Sequence, residues 1–295
     1  MIPYEEIRVP VAGGEMAALR WPARDPGAAP VIVALHGITA NALSWAAVAR
    51  HLDGRATLIA PDLRGRAASA GLPGPYGIAA HAEDTAALAA WLGLDGVVLA
   101  GHSMGAFVAA LASVRHPEHF GELVLVDGGF GFPAPTHLSA DELMTAVIGP
   151  AMDRLSMTFT DRDAYRSFWR AHPAFGGDAW SPEVDAYIQR DLTGEEPVMR
   201  SSCLLEAVRT DGVGLFQDEV LKAAHELPHP AVLVWAERGL MNEEQGLYDE
   251  SRLAKAGQPG TGVRAVRVDG VNHYTVLTGD RGADEVARSL LEAAR

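Results

Sequence analysis

One stretch, Val97-Val98-Leu99-Ala100-Gly101-His102-Ser103-Met104-Gly105-Ala106, constrains this chain more than any other. The turn signal Asp95-Gly96 opens a short apolar run that predicts a buried strand. An alanine-rich pattern through Phe107, Leu111 and Val114 predicts a helix directly behind it. Strand, G-x-S-x-G, helix is the context of a nucleophile elbow, a turn that lifts a serine hydroxyl clear of a sheet. Gly101 and Gly105 fall where strand and helix backbones nearly touch, so neither position has room for a side chain. Ser103 would stand at a helix N-terminus, whose free N–H groups favour developing negative charge. A bare G-x-S-x-G in a chain with 31 glycines is weak evidence, and the flanking strand and helix make it specific.

The rest of the chain supplies a sheet to carry that turn. Ile7–Val11 and Met16–Trp21, around Gly13-Gly14, predict an opening hairpin. Val31–Leu35, Thr57–Ala60 and Leu123–Val126 are continuous apolar runs, as expected of strands buried on both faces of a parallel sheet. Helices are expected over 42–52 and 79–92 between them. The alternation breaks from Phe132 to Pro228, a segment read as mostly helical and rich in Met144, Met152, Phe159, Trp169, Trp180 and similar residues. It resumes with Val232–Trp235, Val263–Val268 and a closing helix over 282–294. The expected fold is α/β: a mostly parallel central sheet flanked by helices, with a core domain of residues 1–131 and 229–295. Residues 132–228 would form a helical cap over the carboxyl ends of the strands, the edge where open α/β sheets bind ligands.

Charge and cysteine content exclude several function classes. The formal charge of −14, with no basic run of five or more, argues against nucleic-acid or anionic-membrane partners. No apolar stretch reaches membrane-spanning length, and the opening Met1–Glu6 lacks the pattern of a secretory signal. With the single Cys203 this predicts a cytoplasmic protein without disulfides, and Cys203 reads as a small core residue. No metal or cofactor is expected, and the sequence sets no oligomeric state.

A serine hydroxyl needs a base. His273 follows the last strand at the same sheet edge, in the chain order serine, acid, histidine. The acid should also follow a strand at that edge, and two carboxylates do so: Asp127 after Leu123–Val126, and Glu237 after Val232–Trp235.

Ser103 within Gly-His-Ser-Met-Gly, His36-Gly37 after one strand, Asp62-Leu63-Arg64-Gly65 after the next and the late Asn272-His273 together resemble the α/β-hydrolase family, in its capped branch. The resemblance implies an oxyanion hole made by the backbone N–H groups of Ile38 and Met104. Most relatives carry the acid at a position that falls on Gly239 here, which has no side chain. Some capped relatives carry it after the preceding core strand, which is Asp127, so the resemblance favours Asp127 over Glu237. It further implies a cofactor-free serine hydrolase cleaving an ester or lactone through an acyl-enzyme, and the composition of the cap suggests that the substrate is small and apolar. A carbon–carbon bond hydrolase or a thioesterase would use the same residues, and a non-enzymatic receptor for a small ligand could share the fold. Serine as nucleophile disfavours dehalogenase chemistry, which in this family resembles an aspartate-nucleophile reaction. His36, Gly37 and His102, with Trp169 and Trp180 from the cap, are the candidate pocket residues.

Overall fold

The computed structural model describes residues 2–132, 142, 149 and 152–295, and of Asp178 only the backbone. Eight strands form the central sheet: β1 (Glu5–Val11), β2 (Gly14–Trp21), β3 (Val31–Leu35), β4 (Thr57–Pro61), β5 (Val97–His102), β6 (Phe120–Val126), β9 (Ala231–Arg238) and β10 (Arg264–Asn272). Their order is β1-β2-β4-β3-β5-β6-β9-β10. Only β2 runs antiparallel to its neighbours, so the sheet from β4 to β10 is parallel.

Side-chain alternation divides the apolar runs between two cores. Along β3, Ile32 and Ala34 join one core, while Val33 and Leu35 join the other. Along β6, Val124 and Val126 face the first and Leu123 and Leu125 the second. This two-sided burial is why these strands read as unbroken hydrophobic runs. The faces are covered by α1 (Ala46–Leu52), α2 (Ile78–Leu92) and α3 (Met104–Arg115), and by α10 (Asp280–Ala293) near the C-terminus.

Between β6 and β9 the described residues hold α4 (Arg162–Arg170), α5 (Pro182–Asp191), α6 (Leu205–Gly214) and α7 (Asp218–Ala223). Local chemistry starts the first two. The Asp161 carboxylate accepts the Ala164 N–H, and Ser181 Oγ accepts the Val184 N–H ahead of Pro182. The mostly helical reading of this segment missed a hairpin of β7 (Leu192–Glu195) and β8 (Val198–Ser201), which forms a separate two-stranded sheet with Phe159 bridged to Met199 of β8. It also gave no warning of two short helices in the core, α8 (Glu250–Lys255) and α9 (Thr275–Thr278). Met144 lies outside the described residues.

The insertion meets the carboxyl edge of the sheet through specific bonds. Asn41 Nδ2 donates to the Tyr187 carbonyl (2.9 Å), Leu204 N to the Gly65 carbonyl (2.9 Å) and Asn272 Nδ2 to the Ala174 carbonyl (3.0 Å). Arg190 of α5 pairs with the fully buried Asp62, whose other oxygen accepts the Ala42 N–H. Phe159, Val184, Tyr187, Ile188 and Met199 are continuous with the first core. No helix among the described residues is long and apolar enough to cross a membrane.

Candidate active site

Ser103 occupies a backbone conformation that side chains rarely adopt, φ 53° and ψ −122°. Two hydrogen bonds hold the turn, from Ser103 N to the Val126 carbonyl (2.9 Å) and from Ala106 N to the Ser103 carbonyl (3.0 Å). The glycine requirement is steric. A Cβ on Gly101 would lie 2.0 Å from the Gly105 carbonyl oxygen, and one on Gly105 would lie 2.4 Å from that of Leu35. Gly128 is bound by the same turn, since its Cβ would lie 2.3 Å from the Ser103 carbonyl oxygen. The strain at Ser103 is therefore locked in from three sides.

Asp127, which directly precedes Gly128, also has a positive φ of 43°. Its N–H donates to the Val234 carbonyl (2.8 Å) and its Oδ1 accepts the Ala236 N–H (3.1 Å). Oδ2 then meets His273 Nδ1 at 2.7 Å, with Asp127 fully buried and His273 6% exposed. The His273 loop is fixed by Asn272, whose Oδ1 accepts the N–H groups of Tyr274 (3.0 Å) and Thr275 (2.9 Å). Glu237 is occupied elsewhere. Its carboxylate accepts from Arg267 (2.5 Å) and from the Gly270 N–H (2.7 Å), and these partners, Gly270 first, hold it below the usual glutamate range. Of the two candidate acids, only Asp127 meets the histidine.

Ser103 and His273 line one small cavity, about 50 Å³, together with Gly37, Ile38 and His102. No hydrogen bond joins Ser103 Oγ to His273 among the described residues, and such contacts are commonly long before substrate is seated. Ile38 lines the same cavity, and Met104 follows Ser103 as the first residue of α3. The Met104 N–H lies in the first turn of α3, where it has no intrahelical acceptor. Ile38 is held from behind by Arg66, a fully buried residue whose Nε donates to the Ile38 carbonyl (3.0 Å) and whose Nη1 donates to the Arg64 carbonyl (2.8 Å). Nη1 also pairs with Asp211 of α6 (2.5 Å), which bonds His81 (2.9 Å) and accepts the Gly77 N–H (2.6 Å). Burial opposes the charged Asp211, yet His81 and Arg66 hold its carboxyl down at about 2. The motif read as Asp62-Leu63-Arg64-Gly65 is thus a brace: Asp62 grips α5, Arg64 pairs with the buried Asp84, and Arg66 just beyond steadies the Ile38 loop.

Three expected pocket residues do not line the cavity. His36 is fully buried between strand ends, accepting the Leu63 N–H at Nε2 (2.9 Å) and bonding the Gly37 carbonyl through Nδ1 (2.7 Å). Burial pushes its pKa down to about 3, so it is a neutral strut and not a pocket wall. Trp169 is 5% exposed inside an aromatic cluster, with Phe175 and Tyr274 against its ring and the Arg154 guanidinium 5.1 Å from its centroid. Trp180 stacks beneath Arg170 at 4.8 Å. Both are packing residues. His102 does line the cavity. Its Nε2 bonds the His273 carbonyl (2.9 Å), so Nε2 carries the proton and Nδ1 is a bare, unpartnered acceptor. Burial, then the neighbouring His273, keeps this ring neutral. Reading the sequence missed Tyr187, Tyr274, Ser44, Leu240 and Leu277 in the lining. Tyr274 alone carried a signal, its place directly after His273. Among the described residues no His, Cys, Asp or Glu cluster is arranged to hold a metal ion.

A family model described as alpha/beta hydrolase fold matches residues 30–280. N-formylmaleamate deformylase from Pseudomonas putida is 31% identical over 217 residues, covering 69% of this chain and 80% of that protein. Fluoroacetate dehalogenase from a Burkholderia species is 32% identical over 284 residues, covering 90% and 87%. Among solved structures, E-2-(acetamidomethylene)succinate hydrolase superposes with a TM-score of 0.79 at 21% identity, covering 98% of this chain and all of the other.

Proposed function

The chain belongs to the alpha/beta hydrolase fold family, and from that premise we propose that it is a serine hydrolase of small acyl compounds, with Ser103, His273 and Asp127 as its triad. One observation carries the reading: the 2.7 Å bond between Asp127 and His273, two buried residues, at a cavity shared with Ser103. Because Nδ1 of His273 faces Asp127, Nε2 is the nitrogen left to take the Ser103 proton. Ser103 Oγ attacks the carbonyl, and the oxyanion lies toward the N–H groups of Ile38 and Met104. His273 returns the proton to the leaving group and then draws one from water, which releases the acyl group and restores Ser103. Asp127 holds the ring tautomer and stabilises the imidazolium. The segment over 132–228 serves as a cap above this edge, and the bond cleaved is a carboxylic ester or lactone.

A second reading places the acyl group on nitrogen. It is favoured by the deformylase relative, whose name puts a formyl group on nitrogen. The dehalogenase relative does not transfer so readily, since a serine hydroxyl stands where that chemistry needs a carboxylate nucleophile. A fluorophosphonate probe tests the common core. Rapid labelling is expected on Ser103 and none on Ser103→Ala, whose hydrolysis should fall by up to about 10⁶ with circular dichroism unchanged. Retention of a tenth of the activity in Ser103→Ala would end the reading. A parallel screen of p-nitrophenyl esters, lactones and N-formyl amides separates ester from amide cleavage.

A further inference from the structure

The cavity beside Ser103 is not the wholly apolar pocket expected from the cap composition. Ile38, Ala40, Leu240 and Leu277 supply an apolar wall, but two phenols interrupt it. Tyr187 comes from α5 of the insertion and Tyr274 from the loop that carries His273. Tyr187 is 5% exposed, and its backbone carbonyl is pinned by Asn41 Nδ2. The Tyr274 ring stands edge-on to His273, with centroids 5.8 Å apart, and packs against Phe175 at 5.2 Å. Both rings are therefore held by packing and not by their hydroxyls. Neither hydroxyl has a hydrogen-bond partner among the described residues, although a buried tyrosine ordinarily finds one. Ser44 Oγ, in the same lining, is a third hydroxyl without a partner. Burial raises both phenols, Tyr187 well above the ordinary tyrosine value, so each keeps its proton and presents an O–H donor.

We propose that Tyr187 and Tyr274 form a donor pair that binds a second oxygen on the substrate, beyond the carbonyl attacked by Ser103. The class of substrate is a short acyl compound bearing a neutral keto, ester or amide oxygen. A neutral oxygen fits better than a carboxylate for a physical reason. No cationic side chain lines the cavity among the described residues, and the nearby Arg154 is already neutralised by Asp191. An anion brought there would lose its hydration against two neutral donors only. This proposal rests on the serine-hydrolase reading and extends it to the substrate.

The test compares p-nitrophenyl 4-oxopentanoate with p-nitrophenyl 4-methylpentanoate, which exchanges the keto oxygen for a methyl of similar shape. The wild-type protein is expected to favour the oxo ester in kcat/KM by roughly tenfold, and Tyr187→Phe and Tyr274→Phe should each erase most of that ratio. A wild-type ratio near one, or a ratio unchanged in both variants, overturns the proposal and leaves the hydroxyls facing water alone. A third ester, p-nitrophenyl hemiglutarate corrected for its uncatalysed rate, covers the anion. If it outruns the oxo ester and loses that lead in the Phe variants, the assignment to a neutral oxygen is wrong. Calorimetric titration of Ser103→Ala with 4-oxopentanamide and 4-methylpentanamide reads the subsite without turnover. Failure of the hydrolase reading would show instead as no Ser103-dependent turnover of any ester, whatever the binding ratio.

Discussion

Asp127→Asn is the most informative single change, because the neighbours of the carboxylate determine how the amide must sit. Oδ1 of Asp127 accepts the Ala236 N–H at 3.1 Å, and Oδ2 faces His273 Nδ1 at 2.7 Å. An asparagine can keep both contacts in only one orientation: its oxygen on Ala236 and its NH₂ on His273. The NH₂ then donates to Nδ1, so the imidazole proton must move to Nε2, and the ring can no longer accept the Ser103 proton. The flipped amide would preserve the correct tautomer but would set its NH₂ against the Ala236 N–H. That leaves a buried donor unpaired, at a cost of about 1–3 kcal/mol. The unproductive orientation therefore dominates, and the charge that stabilises the imidazolium is lost in either one. Together these effects are expected to lower kcat by about 10⁴, equivalent to about 5.5 kcal/mol of barrier. Stability should change little, since every hydrogen bond is retained in the favoured orientation. Glu237→Gln is the matched control, because its partners Arg267 and Gly270 are β10 residues that do not line the cavity. Its loss should stay under about tenfold. Steady-state rates on one p-nitrophenyl ester, with thermal melts alongside, decide the matter. A mild loss for Asp127→Asn beside a large one for Glu237→Gln would refute the assignment.

Two further outcomes follow from buried charge and buried histidine. Arg66→Lys keeps a cation beside Asp211 but removes the Nε donor that holds the Ile38 carbonyl, so kcat is expected to fall about tenfold with KM within about twofold; a change confined to KM would contradict a role in steadying the oxyanion loop. His36 has its pKa pushed from 6.5 to about 3 by burial, so between those values the unfolded chain binds a proton that the folded one does not. Stability should therefore fall as pH is lowered from about 6.5, by up to about 1.4 kcal/mol per pH unit from this residue. Urea melts from pH 7 to 4 should show a shallower slope in His36→Gln, and an unchanged slope would contradict it.

The elbow and the strands around it were legible because their physics is local. Gly101 and Gly105 are demanded by contacts within five residues of sequence and by one crossing at Leu35. The apolar runs of β3, β4 and β6 report two-sided burial wherever they occur. The acid was not legible from the residues alone, because Asp127 and Glu237 both read as following strands at the same edge, whereas Glu237 lies within the end of β9. What separates them is a positive φ at Asp127 and the squeeze of Gly128 against Ser103, which turn one carboxylate inward. Glu237 is drawn off by a β10 irregularity that presents the Gly270 N–H. In the insertion, composition misled. Trp169 and Trp180 are large enough to suggest a pocket, yet large aromatics are equally the natural filling of a small helical layer. The hairpin of β7 and β8 is four residues on each strand, carries Pro197 in its turn and shows little apolar alternation, so it left no periodic signal.

How the insertion meets the sheet bears on how separable the two are. Two of the loops that line the cavity are tied to the insertion: the Ile38–Thr39 loop through the Thr39 carbonyl to Arg154 (3.3 Å) and through Arg66 to Asp211, and the His273 loop through Asn272 to Ala174. Two charge pairs cross between insertion and sheet with little exposure, Arg66 against Asp211 and Arg190 against Asp62. Pulling the segment away as a unit would leave buried guanidinium and carboxylate groups without partners, a penalty of several kcal/mol for each pair. It would also strip the first core of Phe159, Val184, Ile188 and Met199. The geometry of the Ile38 loop is thus set from the insertion side as much as from the sheet. Changes in α5 and α6 far from Ser103 can therefore alter turnover as well as substrate fit.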